Sequence, residues 1–222
     1  ACSVALCEDE ALIAQSFQNN GLTHSRTLMP MAVSLLDNCG TALDAVELIA
    51  VAAGPGSFTG LRIGVSALKG LAWALEKPCC GVSTLAAMAY GVSDFNGLIV
   101  GAMDARRQQI YNAVFLSGGG TLARLRPDRA VSLEEAAEDL RSLEGPMTIV
   151  GDGAALCHDY LTARGIGCAL APAHLRLQSA VGVAMAAQEL WPAGAVDAQG
   201  LQPVYLRLSQ AERERLAREG RQ

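Results

Sequence analysis

The same succession of apolar runs and breakers occurs twice in this chain, and that repeat constrains the fold more than any single motif. In the second half, apolar runs at 98–103, 109–116 and 122–125 or slightly longer read as strands, with a turn at Gly118-Gly119-Gly120 between the last two. A helix then starts at Ser132, whose Ser-Leu-Glu-Glu pattern is a capping box with Glu135 at the third helical position. A strand at 147–150, a helix at 154–164, a strand at 168–171 and a helix at 177–190 follow. The order is βββαβαβα. The first half reads as a hairpin pair at 2–7 and 11–17, a helix at 25–38 stopped by Gly40, and a strand at 46–52. A helix at 61–76, a short strand at 79–82 and a helix from Thr84 complete it. This is the same order without its first strand. Strands alternating with helices imply a mostly parallel sheet covered by helices. Two copies imply two lobes, 1–95 and 96–208, with a charged helix or tail at 209–222.

Composition agrees with this reading. Of 222 residues, 51% are apolar, enough for a large core in one domain or two small ones. A net charge of −5 and a pI near 5.2 argue against a strongly basic face, and so against autonomous nucleic-acid binding. No apolar run reaches the roughly 18–20 residues that span a bilayer, so no membrane partner is expected. No charged-then-apolar leader opens the sequence. It begins at Ala1 rather than Met, and the strand missing from the first half is read as trimming of the chain. The seven cysteines are scattered, the count is odd and no Cys-x-x-Cys occurs. Buried reduced thiols in a cytoplasmic protein are expected.

Between a strand and a helix stands Gly54-Pro55-Gly56-Ser57-Phe58-Thr59-Gly60-Leu61-Arg62-Ile63-Gly64. A tight glycine loop there aims N–H groups and the positive helix end at whatever sits before it. The phosphate chemistry is incomplete. No Lys-Ser/Thr pair follows the last glycine, and the glycine spacing misses the dinucleotide fingerprint by one residue. In the second half, Asp104 is followed by Ala105-Arg106-Arg107, and Gly151-Asp152-Gly153 opens a helix. Gly54, Gly56, Ser57, Asp104, Arg106, Gly151 and Gly153 are therefore the candidates for a residual nucleotide or anion contact. The side chains after Asp104 would crowd a phosphate where bare backbone could approach it. Tight turns and two solvated arginines account for the same residues without a ligand. Ser57 fails the Gly-x-Ser-x-Gly elbow because two residues separate it from Gly60, and it or Thr59 is expected to cap the next helix.

Metal chemistry fails on counting. A catalytic metal takes about three ligands, often two on one helical face at i and i+4. His24 is followed four residues later by Leu28, and neither His158 nor His174 has a histidine at such spacing. No metal and no catalytic residue is expected. His24 reads as a polar residue at a helix start, with Thr23 or Ser25 capping.

Two helices carry more apolar surface than one sheet can cover. Leu61, Val65, Leu68, Ala72 and Leu75 share one face of the second, and Ile63, Ala67, Leu71 and Ala74 another. Charge is confined to Arg62 and Lys69, with Glu76 at the end. In the first, Leu28, Met31, Ala32, Leu35 and Cys39 line one side, and Met29, Val33 and Leu36 the next. A helix lying on a sheet needs only one apolar face. Gly60, Gly64 and Gly70 each cost about 1 kcal/mol relative to Ala, which makes sense where another backbone comes close. Pro30 removes an N–H from the first helix. Either the two helices cover each other within one subunit, or they form half of an intermolecular bundle. The candidates for the partner interface are Leu28, Met31, Ala32, Leu35, Leu61, Gly64, Val65, Leu68 and Ala72. On that reading Val65→Arg disrupts association and leaves the monomer folded. The tail from Ser209 alternates Glu and Arg and reads as an exposed helix.

Several strings resemble a known family. Gly54 to Gly64 resembles the signature of the bacterial TsaB (YeaZ) family. His24-Ser25-Arg26-Thr27-Leu28-Met29-Pro30 resembles its His-Ser-x-x-Leu-x-Pro helix opening, and Asp104-Ala105-Arg106 with Ile110-Tyr111 its Asp-Ala-Arg…Val-Tyr hairpin. Gln202-Pro203-Val204-Tyr205-Leu206-Arg207 resembles its Pro-x-Tyr-Leu-Arg. The resemblance spans nearly the whole chain. The repeated order is similar to that of the actin-like ATPase (ASKHA) superfamily. The expected fold is α/β with two pseudo-duplicated βββαβαβα lobes, and the absent first strand would carry a phosphate-facing Asp.

The resemblance implies a non-catalytic scaffold or activator of the TsaD transferase in making N6-threonylcarbamoyladenosine (t6A) on tRNA. It implies pairing with TsaD through the first-lobe helices, joining of the ATPase TsaE, and self-association as a homodimer when alone. ATP or ADP is expected only within the complex. A stand-alone ATPase or kinase of the same fold is the alternative. TsaD-like proteins carry a metal site on His-x-x-x-His and were once labelled glycoproteases. Leu28 stands where the second histidine would be, so a metallopeptidase reading lacks its ligands.

Overall fold

The computed structural model describes residues 1–119 and 121–207. The expected tail at 209–222, the end of the second lobe at 208 and Gly120 lie outside the described residues. Strands β1 (Cys2–Glu8) and β2 (Ala11–Gln18) pair antiparallel, and helix α1 (His24–Cys39) follows them. β3 (Ile49–Gly54), α2 (Phe58–Ala74) and β4 (Cys79–Ser83) form a crossover unit, with β3 and β4 parallel and Ile49 opposite Cys79. Helix α3 (Thr84–Tyr90) closes this half.

The second half runs β5 (Gly97–Asp104), β6 (Gln109–Gly118), β7 (Thr121–Ser132), α4 (Leu133–Arg141), β8 (Met147–Val150), α5 (Ala154–Thr162), β9 (Ala169–Leu170) and α6 (Ala180–Leu190). Its five strands lie in the order β7-β6-β5-β8-β9. β5 is antiparallel to β6 and parallel to β8. The Ser132 capping box forms as the sequence indicates, with the Glu135 carboxylate accepting from Ser132 N and Ser132 Oγ accepting from Glu135 N. β7 outruns the predicted 122–125 by several residues. It is the edge strand of this sheet, where Pro127 has no ladder bond to donate on its open side.

Alternate residues of β5 feed two cores, as a strand covered on both faces requires. Val100 packs with Ile110, Val114, Leu140 and Leu161 beneath α4 and α5. Ile99 packs on the other face with Phe115, Leu85 and Met88, the last two from α3. In the first half, Val65 and Ala72 of α2 join Ile49, Cys79 and Leu201. Cys80 and Val82 face the other way, against Ala87 of α3 and Ala186 and Ala187 of α6. So α3 serves the second-half sheet as well as β4, and α6 covers strands of the first half. The residues after α6 return to the first half too: Val196 pairs with Cys79 in a β-bridge. Among the described residues β1 pairs only with β2, and β3 only with β4. No described helix is long and apolar enough to cross a membrane.

Candidate functional site

The glycine loop lies under the chain's own C-terminal segment. Val204 N–H donates to Ala53 O at 2.7 Å. Gly54 holds φ 140°, and a Cβ on it would sit 2.1 Å from the Val204 carbonyl oxygen. Glycine is required there by a backbone, not by a ligand. Next in the segment, Tyr205 stacks on Phe58, the first residue of α2, and its hydroxyl accepts from Arg62 Nε at 3.1 Å. Further along α2, Lys69 Nζ donates to Gln199 O at 3.3 Å. The polar stripe of α2 that the sequence isolates, Arg62 and Lys69, is therefore what the segment at 199–205 lies on.

The same segment reaches the second half. Arg207 Nη1 donates to Ala105 O in the β5–β6 turn. That turn satisfies itself. Asp104 Oδ1 accepts from Arg106 N at 2.7 Å, and Asp104 N donates to Asp152 Oδ1 at 3.1 Å. Arg106, Arg107 and Gln108 all hold left-handed φ, between 56° and 67°. The Arg106–Asp104 ion pair, at 3.6 Å with an exposed guanidinium, adds little. Opposite the turn, Gly151 N–H donates to Arg176 O at 2.8 Å and Gly153 N–H to Ala102 O at 3.0 Å. A Cβ on Gly151 would lie 2.1 Å from Ala102 O. The N–H groups that would cradle an anion at Asp104, Arg106, Gly151 and Gly153 are spent on the protein.

Ser57 caps α2, its Oγ accepting from Gly60 N at 3.4 Å. Gly56 and Ser57 border a cavity of about 1640 Å³ lined by the first half together with α6 and Met103, while Asp104, Arg106, Gly151 and Gly153 do not line it. Thr23 occupies the N-cap position of α1 but makes no side-chain cap bond. His24 Nε2 lies 3.0 Å from Ala1 O. Among the described residues no three His, Cys, Asp or Glu side chains gather as a metal site would need. Four of the thiols are tuned away from nucleophilic chemistry. Burial pushes Cys157 up to about 12, with Cys168 adding to it, and burial also raises Cys79, Cys80 and Cys168.

The two apolar helices resolve into faces. Met31, Leu35, Leu61, Val65 and Ala72 are buried by the chain itself. Leu28, Ala32, Leu35, Leu61, Gly64 and Leu68 line the cavity. Opposite its buried side α2 carries half-buried Ile63 and Ala67 and exposed Gly70 and Ala74, with Trp73, 79% exposed, between this strip and the Arg62–Ser66–Lys69 stripe. On α1, Met29 is half-buried and Val33 is 54% exposed. Among the described residues, nothing outside its own stretch of helix lies within 4 Å of a Cβ built on Gly70.

A "tRNA threonylcarbamoyladenosine biosynthesis protein TsaB" from Bacillus subtilis is 35% identical over 94% of this chain and 90% of its own length. The chain belongs to the TsaB family. The TsaB of Escherichia coli is 33% identical over 93% of the chain and 90% of its own length. The family model for TsaD, tRNA N6-adenosine threonylcarbamoyltransferase, matches residues 18–212. A Pseudomonas aeruginosa crystal structure, described as an uncharacterized protein with similarity to peptidase YEAZ, superposes with a TM-score of 0.80 at 29% identity. The match covers 93% of this chain and 94% of that one. The mixed α/β fold of this TsaB-family member is thus consistent with an actin-like architecture.

Within that family frame, the predicted site residues fall into separate groups. The glycine loop and the Asp104 turn are linked, but through Val204, Tyr205 and Arg207 rather than through a ligand. Val65, expected on a partner face, packs in the core at 3% exposure, because α2 turns its Leu61–Val65–Ala72 side to β3. Sequence reasoning passed over Phe58, Tyr205 and Arg207 as site residues. Trp73 carried a signal, a tryptophan four residues after Lys69 on a helix already supplied with an inner face.

Proposed function

We propose that this chain serves threonylcarbamoyladenosine (t6A) formation on tRNA as a non-catalytic subunit that binds and activates the TsaD transferase. The names of its relatives support the process, and the self-satisfied turns support a role without independent catalysis. The observation that carries the partner role is the outer side of α2, where Ile63, Ala67, Gly70 and Ala74 form an apolar strip with Trp73, 79% exposed, on its rim beside Ser66. An exposed tryptophan beside a strip of small and apolar residues is the composition of an interface anchor. Val33 of α1, 54% exposed, and half-buried Met29 add apolar surface on the neighbouring helix. TsaD docks there, and two copies of this chain pair through it in TsaD's absence. TsaE joins the pair, and ATP or ADP binds only in the assembled complex. The two halves are duplicated lobes of an actin-like fold that exchange α3 and α6 across their seam, the first lobe without its leading strand. Reconstitution of tRNA threonylcarbamoylation with TsaD and TsaE, with and without this chain, tests the role. Modification that requires the chain, while the chain alone turns over no ATP, is the expected result. Full activity without it, or ATP turnover by the chain alone, refutes the proposal.

A further inference from the structure

Among the described residues, five cations follow one track across the two halves. It starts on α2, where Lys69 and Arg62 share the polar stripe two helical turns apart, about 10 Å. It crosses to the C-terminal segment through Tyr205, whose hydroxyl accepts from Arg62 Nε at 3.1 Å. Two residues on, Arg207 donates to Ala105 O, and Ala105 leads into Arg106 and Arg107. Arg62, Arg106 and Arg107 are exposed, and Tyr205 is 37% exposed with Phe58 stacked on its ring. The neighbouring carboxylates offset part of the charge but are engaged with backbone. Asp104 Oδ1 accepts from Arg106 N, Asp152 Oδ1 from Asp104 N and Asp197 Oδ1 from Gly200 N.

The β5–β6 turn adds an independent sign. Arg106, Arg107 and Gln108 hold φ of 67°, 56° and 56°, a left-handed run that Asn or Gly adopts with less strain than Arg. The run is held from three directions. Arg207 bonds Ala105 O, Asp152 bonds Asp104 N, and Leu133 N–H donates to Gln108 O. The fold thus fixes two guanidiniums outward at positions where a turn by itself favours other residues.

We infer that this track contacts the phosphate backbone of tRNA in the complex with TsaD, with Tyr205 offered to an unstacked base among the cations. The inference rests on the partnership proposed above. Lys69 and Arg62 border the apolar strip of α2 assigned to TsaD, so RNA held by TsaD meets the track at that border. An acidic protein segment would suit the cations alone. The exposed aromatic set between Arg62 and Arg207, and the tRNA in the relatives' names, favour RNA. The chain as a whole carries −5, which opposes RNA binding by this chain alone, so the track extends a site that TsaD begins.

The test titrates tRNA onto the complex of this chain with TsaD, from about 50 to about 200 mM salt. Arg106→Asn with Arg107→Asn removes two charges at positions whose left-handed φ suits Asn, so the fold is kept. Arg106→Lys with Arg107→Lys keeps both charges. The Asn version is expected to bind tRNA about tenfold more weakly. Its slope of log affinity against log salt should be shallower by about 1.4–1.8, the loss of two phosphate contacts. The Lys version should keep the slope and stay within about threefold of the parent. Unchanged affinity and slope in the Asn version overturn the track, as does a Lys version as weak as the Asn one. Loss of TsaD capture by the Asn version without tRNA also overturns it, because the cations then belong to the protein interface. Failure of the unmodified chain to capture TsaD, read without tRNA, overturns the partner reading itself and is thereby told apart.

Discussion

Tyr205 lies flat on Phe58, ring centroids 4.4 Å apart and planes 8° from parallel. The phenol oxygen accepts from Arg62, 143 positions earlier in sequence. This contact fastens the C-terminal segment over the glycine loop, and Arg207 carries the same segment on to the β5–β6 turn. Tyr205→Ala is expected to lower stability by about 1–2 kcal/mol, the sum of one stack and one hydrogen bond. Tyr205→Phe should lose only the hydrogen bond, about 1 kcal/mol. Denaturant unfolding of both variants, with a Phe58→Ala/Tyr205→Ala cycle, separates the two contributions.

Two glycines make opposite predictions. Gly54→Ala puts a methyl 2.1 Å from Val204 O at a φ of 140°, so the segment must lift. A loss of roughly 2–4 kcal/mol is expected from combined clash and backbone strain. Gly70→Ala meets nothing within 4 Å among the described residues outside its own helix, and should stabilise the isolated chain by up to about 1 kcal/mol. If TsaD's backbone approaches there, the same change weakens capture. Thermal melts of both variants and a binding titration of the second check this.

Asp139 joins β7 to α4. It accepts from Arg126 Nε at 3.0 Å and from Arg129 Nη2. Burial raises its pKa, but the hydrogen bonds from the two guanidiniums and their charges prevail and hold it below the ordinary 3.8. A carboxyl depressed on folding stabilises above its unfolded pKa, and that contribution is lost as pH falls through the folded value. Asp139→Asn should therefore cost about 1–2 kcal/mol at pH 7, a moderate figure because the guanidiniums are partly exposed. The gap between the parent and the variant should narrow below about pH 4. Unfolding curves from pH 7 to pH 2 measure it.

Local chemistry was legible where neighbours in sequence decide it. Ser132 and Glu135 cap α4, Ser57 caps α2 and Gly40 ends α1, all within a few residues of their partners. The choice between apolar faces was not legible, because the Leu61–Val65–Ala72 and Ile63–Ala67–Ala74 sides of α2 are alike in hydrophobicity. Only the position of β3 and of the 199–205 segment decides which one is covered. Strap contacts from Val204, Tyr205 and Arg207 were hidden for the same reason, since a tyrosine's stacking partner leaves no periodic trace. Thr23 shows the converse: a good capping residue in place whose hydroxyl makes no cap bond.

The central claim is that the exposed side of α2, not its buried side, receives TsaD. The direct measurement is the affinity of this chain for TsaD, by titration calorimetry, with Trp73→Asp. The account predicts an unchanged melting temperature, within about 0.5 kcal/mol of stability, and at least about a tenfold loss of affinity. Val65→Arg, by contrast, should unfold the chain. Undiminished affinity in a folded Trp73→Asp protein would contradict the account.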